Sequence, residues 1–230
     1  PFNDIELLKK NINEQTAAVM IESVQGEGGI RPADISFLNS IYKICKENEI
    51  LLFLDEIQSG FGRSGKLFAY ERANIEPDII AVAKGIGSGF PLGACLTTNK
   101  VSIGMIKGSH GSTYGGNPLA ISVGKAVLEI LINNNFLESV DQVAKYFLSK
   151  LKKLENVTDQ IIEVRGVGLM LGIKTKDKNI DICLALRKNK LLTIPASDNV
   201  IRLLPPLIVN KEQIDNAIEI IEKTLNEKND

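Results

Sequence analysis

Ile50-Leu51-Leu52-Phe53-Leu54-Asp55-Glu56 and Pro77-Asp78-Ile79-Ile80-Ala81-Val82-Ala83-Lys84-Gly85-Ile86-Gly87-Ser88-Gly89 are the two stretches that decide the fold. Each is a short apolar run that ends in charge and then opens into a turn. Runs of this length suit strands, and their near-continuous apolar character predicts a sheet covered on both faces. Two further runs of the same kind lie at 17–21, ending in Glu22, and at 93–97. Between the first pair of strands, 33–48 reads as a helix. Asp34 stands near its start, and Ile35, Leu38, Ile41, Tyr42 and Cys45 recur at three- and four-residue spacing. Strands alternating with amphipathic helices predict an α/β domain with a mostly parallel sheet.

From Asn117 the pattern changes. Pro118 opens a predicted helix through Leu119, Val123, Val127 and Leu131, and Asn133-Asn134-Asn135 breaks it. A second helix over 137–154 leads into a βαβ-like tail, with strands at 161–164 and 168–174 and a helix at 180–189. Short strands at 191–194 and 200–203 and a final helix at 211–226 complete it. The domain division falls at 134/135, giving residues 1–134 and 135–230. The last four residues read as a frayed polar terminus.

Composition excludes several function classes. The net charge of −1 over 230 residues leaves no electrostatic footprint for nucleic acid. No apolar stretch approaches the roughly 20 residues of a membrane helix. Cys45, Cys95 and Cys183 are widely spaced and His110 is the single histidine, so no metal site is expected. Small buried hydrophobes are the plain reading of these thiols, and a reducing cytoplasm suits them. The chain starts at Pro1 without signal-peptide features or an initiator methionine, and is expected to be part of something longer.

Ligands of open α/β sheets sit beyond the carboxyl ends of the strands. Right-handed crossovers bring Glu22, Asp55 and Lys84 to that one edge. A lysine and an aspartate at equivalent ends of neighbouring strands suggest a pyridoxal 5'-phosphate site. The lysine would hold the cofactor as a Schiff base, and the carboxylate would keep the pyridine nitrogen protonated by Coulomb attraction. Each charge alone is equally compatible with a solvated strand end. The loop Gly60-Phe61-Gly62-Arg63-Ser64-Gly65-Lys66 has the glycine and lysine spacing of a P-loop, but Leu67 stands where Ser or Thr must follow. Its acidic strand also precedes the loop, so a nucleotide triphosphatase is set aside.

Six segments resemble the class III (ornithine-type) aminotransferases of the fold-type I pyridoxal phosphate enzymes. They are residues 21–29, 54–65 and 77–85, Gly89-Phe90-Pro91-Leu92-Gly93-Ala94, His110-Gly111-Ser112-Thr113-Tyr114-Gly115-Gly116-Asn117-Pro118, and Ile201-Arg202-Leu203-Leu204-Pro205-Pro206-Leu207. The resemblance implies the large domain's parallel sheet, incomplete, plus a C-terminal α+β small domain. It implies that Lys84 forms the Schiff base and shuttles protons, Asp55 pairs with the pyridinium, Gln58 bonds the phenolic oxygen and Ile57 packs on the ring. Thr113, with Ser112 beside it, would reach the phosphate of a partner's cofactor in a homodimer with shared active sites. Arg202 would clamp the α-carboxylate of the amino or 2-oxo acid, Glu27 would pair with Arg202 when that acid is absent, and Glu22 would line the pocket.

The implied reaction moves an amino group between the ω-amine of N-acetylornithine and 2-oxoglutarate, a step of arginine biosynthesis. Ornithine, succinylornithine and 4-aminobutyrate are the alternatives. Arg202 as a surface arginine, Arg63 as a loop brace, His110 as a structural or interface residue and Tyr114 as packing remain open readings. Ser23 replaces the family's usual proline, a change expected to alter loop stiffness only. The family's N-terminal phosphate loop and stacking aromatic have no counterpart before Glu22. An isolated fragment of this kind is expected to bind cofactor poorly and to be inactive.

Overall fold

The computed structural model describes residues 1–133 and 135–227, so Asn134 of the asparagine break and residues 228–230 of the polar terminus lie outside the described residues. In chain order the elements begin with α1 (Ile5–Asn11), β1 (Ala18–Glu22), β2 (Val24–Gln25), β3 (Arg31–Pro32), α2 (Ile35–Glu47) and β4 (Leu51–Asp55). Next come β5 (Ile79–Val82), β6 (Ala94–Thr97), α3 (Asn99–Ser102), α4 (Pro118–Ile132) and α5 (Phe136–Val157). Then follow β7 (Ile161–Val167), β8 (Met170–Thr175), α6 (Asn179–Lys188), β9 (Ile194–Ala196), β10 (Val200–Leu203) and α7 (Lys211–Asn226). They form two compact units: 1–23, 33–61 and 67–133 make the first, and 24–32, 62–66 and 135–227 the second.

In the first unit the sheet order is β1-β4-β5-β6. The first three strands are parallel, with Glu22 opposite Asp55 and Asp55 opposite Ala81, whereas β6 runs antiparallel to β5. Helix α2 buries Phe37, Leu38, Ile41 and Cys45 in one core with Leu52 and Leu54, while Ile35 turns outward at 45% exposure. The opposite face differs from the expected two-sided cover: Met20 is 60% exposed and all four residues of β6 are exposed. An apolar run therefore marked a strand correctly without guaranteeing a covering layer. A 3₁₀ turn at Ala69–Ala73, not an α-helix, fills the return from β4 to β5. The glycine loop before it accordingly leads into no helix N-terminus for a triphosphate.

In the second unit the sheet order is β7-β8-β10-β9, and every pairing is antiparallel. The βαβ-like reading of the tail changes in its pairing, because β10 inserts between β8 and β9, the two strands that flank α6, and runs antiparallel to both. Only Gly168 and Leu169 separate β7 from β8, far too few residues for a crossover. Strand β9 also lies at Ile194–Ala196 rather than over 191–194. Alternation along the strands sends Val164, Leu171, Ile173, Ile201 and Leu203 into a core with α5, α6 and α7. Period-two geometry then leaves Arg165, Gly172 and Arg202 on the other face.

Candidate active site

The sequence-selected residues fall in both units. In the first, the parallel register brings Glu22, Asp55 and the segment leading to Lys84 to one sheet edge. Asp55 is half-buried, and its Oδ1 accepts the backbone N–H of Ile57 at 2.9 Å, a local turn that fixes the carboxyl just past the strand. Ile57 and Gln58 follow, both half-buried.

Lys84 is exposed and has φ 47°, in the left-handed region, at the start of the 3₁₀ turn Lys84–Gly87. An L-residue with a long side chain held there costs about 1 kcal/mol or more, and such strain persists only where surrounding structure enforces it. Part of the enforcement is visible at Gly85, where a Cβ would stand 2.8 Å from that of Phe61. Ser112 and Thr113 lie in an exposed stretch without helix or strand. It ends at Asn117, whose Oδ1 accepts from Ala120 N at 2.9 Å and caps α4, with Pro118 in the first turn. His110 and Tyr114 are exposed in the same stretch.

Sequence reasoning missed Glu56. Its side chain is fully buried and accepts four hydrogen bonds. Oε1 accepts from Ser23 Oγ at 3.0 Å and Tyr70 N at 3.0 Å, and Oε2 from Ser59 Oγ at 2.6 Å and Ala69 N at 3.1 Å. Burial pushes its pKa up despite these bonds. A polar residue beside Asp55 was visible in the sequence, but its burial was not. Ser23 is itself buried, so its replacement of proline supplies a hydrogen bond to Glu56 and does more than alter stiffness.

In the second unit, Arg202 sits buried on β10, between β8 and β9. Its Nη1 donates to Glu27 Oε1 at 2.5 Å. The two side chains differ sharply in setting, at 7% exposure for Arg202 and 75% for Glu27. Arg63 braces loops, its Nη1 donating to the carbonyls of Leu169 at 3.2 Å and Pro205 at 2.5 Å. Desolvation lowers its pKa to about 10. Cys45 and Cys183 are buried with pKa values pushed up by desolvation, that of Cys45 to about 11, in keeping with packing thiols, whereas Cys95 on β6 is exposed and departs from that reading. Among the described residues no group of three or more His, Cys, Asp or Glu side chains is placed to hold a metal ion. No helix among them is long and apolar enough to cross a membrane.

A mostly parallel sheet with an aspartate and a strained lysine at its carboxyl edge, and an antiparallel α+β unit after it in the chain, match the arrangement of a fold-type I pyridoxal phosphate-dependent transferase. Comparison with known proteins narrows the class. Residues 2–225 match the family described as aminotransferase class-III. The chain is 50% identical over 223 residues to an acetylornithine aminotransferase of Agrobacterium fabrum, covering 96% of this chain and 56% of that protein. It is 45% identical over 229 residues to one from Bacillus cereus, covering 100% of this chain and 59% of the relative.

Among solved structures, an ornithine aminotransferase of Plasmodium yoelii superposes with TM-score 0.93 at 38% identity, over 98% of this chain and 62% of that one. An acetylornithine aminotransferase of Elizabethkingia anophelis gives 0.91 at 36%, over 99% and 59%. The chain belongs to the class-III aminotransferases, and it spans a little over half the length of the curated relatives it matches. The family's cofactor is pyridoxal 5'-phosphate.

Proposed function

We propose that this chain carries the cofactor lysine and the carboxylate clamp of an aminotransferase that exchanges an amino group between the ω-amine of N-acetylornithine and 2-oxoglutarate, in arginine biosynthesis. The pairing of Arg202 carries this reading. A buried guanidinium left alone would cost several kcal/mol. Its partner here is an exposed carboxylate on a loop, which the α-carboxylate of glutamate or 2-oxoglutarate can replace like for like. The cation stays paired in both states, so one clamp serves a dicarboxylate in one half of the reaction and closes on Glu27 in the other. The names of the relatives support N-acetylornithine as the ω-amine. Ornithine is the second reading, favoured by likeness to the Plasmodium structure.

The first unit's residues fit pyridoxal phosphate by the chemistry of their donors. Lys84 offers a primary amine for its aldehyde, Asp55 a carboxylate for its ring nitrogen, Gln58 an amide for its phenolic oxygen and Ile57 an aliphatic face for its ring. When bound, the cofactor supplies an electron sink for the carbon that bears the exchanged nitrogen. With the cofactor bound, Lys84 Nζ would move a proton between that carbon and the cofactor, Asp55 would keep the ring nitrogen protonated, and Glu22 would line the pocket. The cofactor-binding domain is drawn from residues 1–134 and the small domain from 135–230, except that 24–32 and 62–66 pack into the second compact unit.

A homodimer with shared active sites is part of the proposal, with Ser112 and Thr113 directed to the partner's cofactor phosphate. Exposed Ile103, Met105, Ile106 and Tyr114 flank that segment and support an interface there. All three cysteines are free, which supports a reducing cytoplasm.

The test uses the cofactor-loaded enzyme that contains this chain. Borohydride reduction followed by peptide mass spectrometry should place the cofactor on Lys84, and labelling of any other lysine overturns the assignment. In a panel of N-acetylornithine, ornithine, succinylornithine and 4-aminobutyrate with 2-oxoglutarate, the first should give the highest kcat/KM. A different winner reassigns the substrate.

A further inference from the structure

The clamp has a second arginine behind it. Arg165 on β7 and Arg202 on β10 are both register partners of Gly172 on β8, so the three lie in one row across the sheet. Partners directly opposite in antiparallel strands share a face, which puts the two arginines on the same side, about 10 Å apart. The 26–30 loop lies along that row. Glu27 pairs with Arg202 at one end, Ile30 sits over Gly172 in the middle, and the carbonyl of Gly29 accepts from Arg165 Nε at 2.8 Å at the other.

Several features show that the loop is built into this position. Ile30 is a β-branched residue with φ 52° and no exposure, a conformation that persists only when its surroundings dictate it. Gly172 makes room, since a Cβ there would stand 3.0 Å from Ile30 Cβ and 2.8 Å from Val200 Cγ1. Gly29 has φ 105°, and a Cβ on it would meet Ser197 O at 2.7 Å and Arg165 Nη2 at 2.9 Å. The backbone of Glu27 is held as well, its carbonyl accepting from Ser197 N at 3.0 Å. Arg165 is fixed in turn by Glu163 at 2.9 Å and by Asp198 at 2.8 Å, and Lys174 holds Asp198 at 2.7 Å. Arg165 is only 12% exposed.

An exposed carboxylate such as Glu27 has many rotamers and gives up that freedom when it pairs with the buried Arg202. Its pairing with Arg202 depends on a loop that delivers it there. We propose that Arg165 is a positioning residue for substrate selection. Through Gly29 and Asp198 it holds the loop so that Glu27 closes on Arg202, which sets how strongly Glu27 competes with a substrate α-carboxylate. This rests on the clamp reading given above. A looser loop depopulates the closed state, so a dicarboxylate binds Arg202 more tightly while the half-reaction that needs the closed pair weakens.

The experiment compares Arg165→Gln with wild type in the cofactor-loaded enzyme, following the glutamate and the ω-amine half-reactions separately. Loss of the charged hydrogen bond to the Gly29 carbonyl, with those to Glu163 and Asp198, should shift the ratio of their kcat/KM values about tenfold or more toward glutamate. Glutarate, an unreactive dicarboxylate, should bind more tightly by calorimetry, and amide exchange of residues 27–30 should accelerate while β8 stays protected. Arg165→Lys keeps the charge without the planar fork and should shift the ratio part of the way.

If Arg165→Gln does not fold, Asp198→Asn removes the brace at an exposed turn and should move the ratio in the same direction, by less. A ratio within about twofold of wild type, or an equal fall in both half-reactions, overturns the proposal. Arg202→Ala separates the two levels. If it leaves glutarate binding unchanged, the clamp reading itself fails. If it abolishes binding while Arg165→Gln changes nothing, only the role of Arg165 falls.

Discussion

Replacing Glu56 tests the packing beneath the cofactor edge, and its cost can be worked from the four donors that face the carboxylate. Each oxygen serves one serine hydroxyl and one backbone N–H, Ser23 with Tyr70 on Oε1 and Ser59 with Ala69 on Oε2. In Glu56→Gln the amide oxygen still serves one such pair. At the other site the serine rotates to accept from the new NH₂, and a single backbone N–H is orphaned. That costs about 1–3 kcal/mol, partly offset by removing a desolvated charge, so about 1–2 kcal/mol is expected at neutral pH. Glu56→Ala orphans both N–H groups and leaves a void, for about 3–5 kcal/mol, a large share of an ordinary domain's stability.

Urea denaturation followed by circular dichroism reads both values. The pH dependence adds a sign. Burial raises the folded-state pKa of Glu56 above its ordinary value, so the stability linked to its protonated form is full below about pH 4 and is lost as pH rises through the folded pKa. Glu56→Gln does not titrate, so the wild-type advantage over it should shrink as pH increases. An advantage that grows between about pH 4 and 6, or an Ala variant as stable as wild type, would refute this account of the site.

Three further outcomes follow from the same structure. Asp198, held by Lys174 and Arg165, has its pKa lowered to about 2, so its stabilisation is present above about pH 4 and fades as pH falls toward 2. Because the group is 31% exposed, solvent screening limits this to about 1 kcal/mol, and acid denaturation of Asp198→Asn should lack that component. Gly172→Ala should cost about 1–3 kcal/mol by pushing Ile30 off the sheet, seen as a lower urea midpoint and faster amide exchange in 26–30; an unchanged midpoint would contradict the close approach. In the 230-residue chain at pH 8, iodoacetamide should alkylate exposed Cys95 alone, since Cys45 and Cys183 are buried and shifted upward; modification of either buried thiol before unfolding would refute their packing role.

Much of the architecture was legible because local patterns carry it. The short apolar runs gave all four strands of the parallel-type sheet, and Pro118 after Asn117 marked the start of α4. Strand pairing in the tail was not legible, because a linear pattern does not say which strands lie side by side. There β10 inserts between β8 and β9 and pairs antiparallel with both, a contact set by residues far apart in the chain. The face of α2 was read one position off at Ile35, since helical spacing fixes a stripe and leaves its edges to the neighbours. Within the candidate site, Asp55 and Lys84 stood out as charges ending apolar runs. Glu56 and Arg165 did not, because partners far along the chain give them their roles.

By itself the sequence determined the order of the longer strands and helices, though not α1, β2, β3 or α3, together with the family resemblance and the residue types available for cofactor and carboxylate chemistry. Those are consequences of local periodicity and of motifs read along the chain. Only the tertiary structure decided that Lys84 is held at φ 47°, that Glu56 is a buried acceptor of four hydrogen bonds, and that Arg165 and Arg202 flank Gly172 beneath one loop. Burial, register and backbone strain arise from contacts between residues distant in sequence, and linear spacing does not encode them.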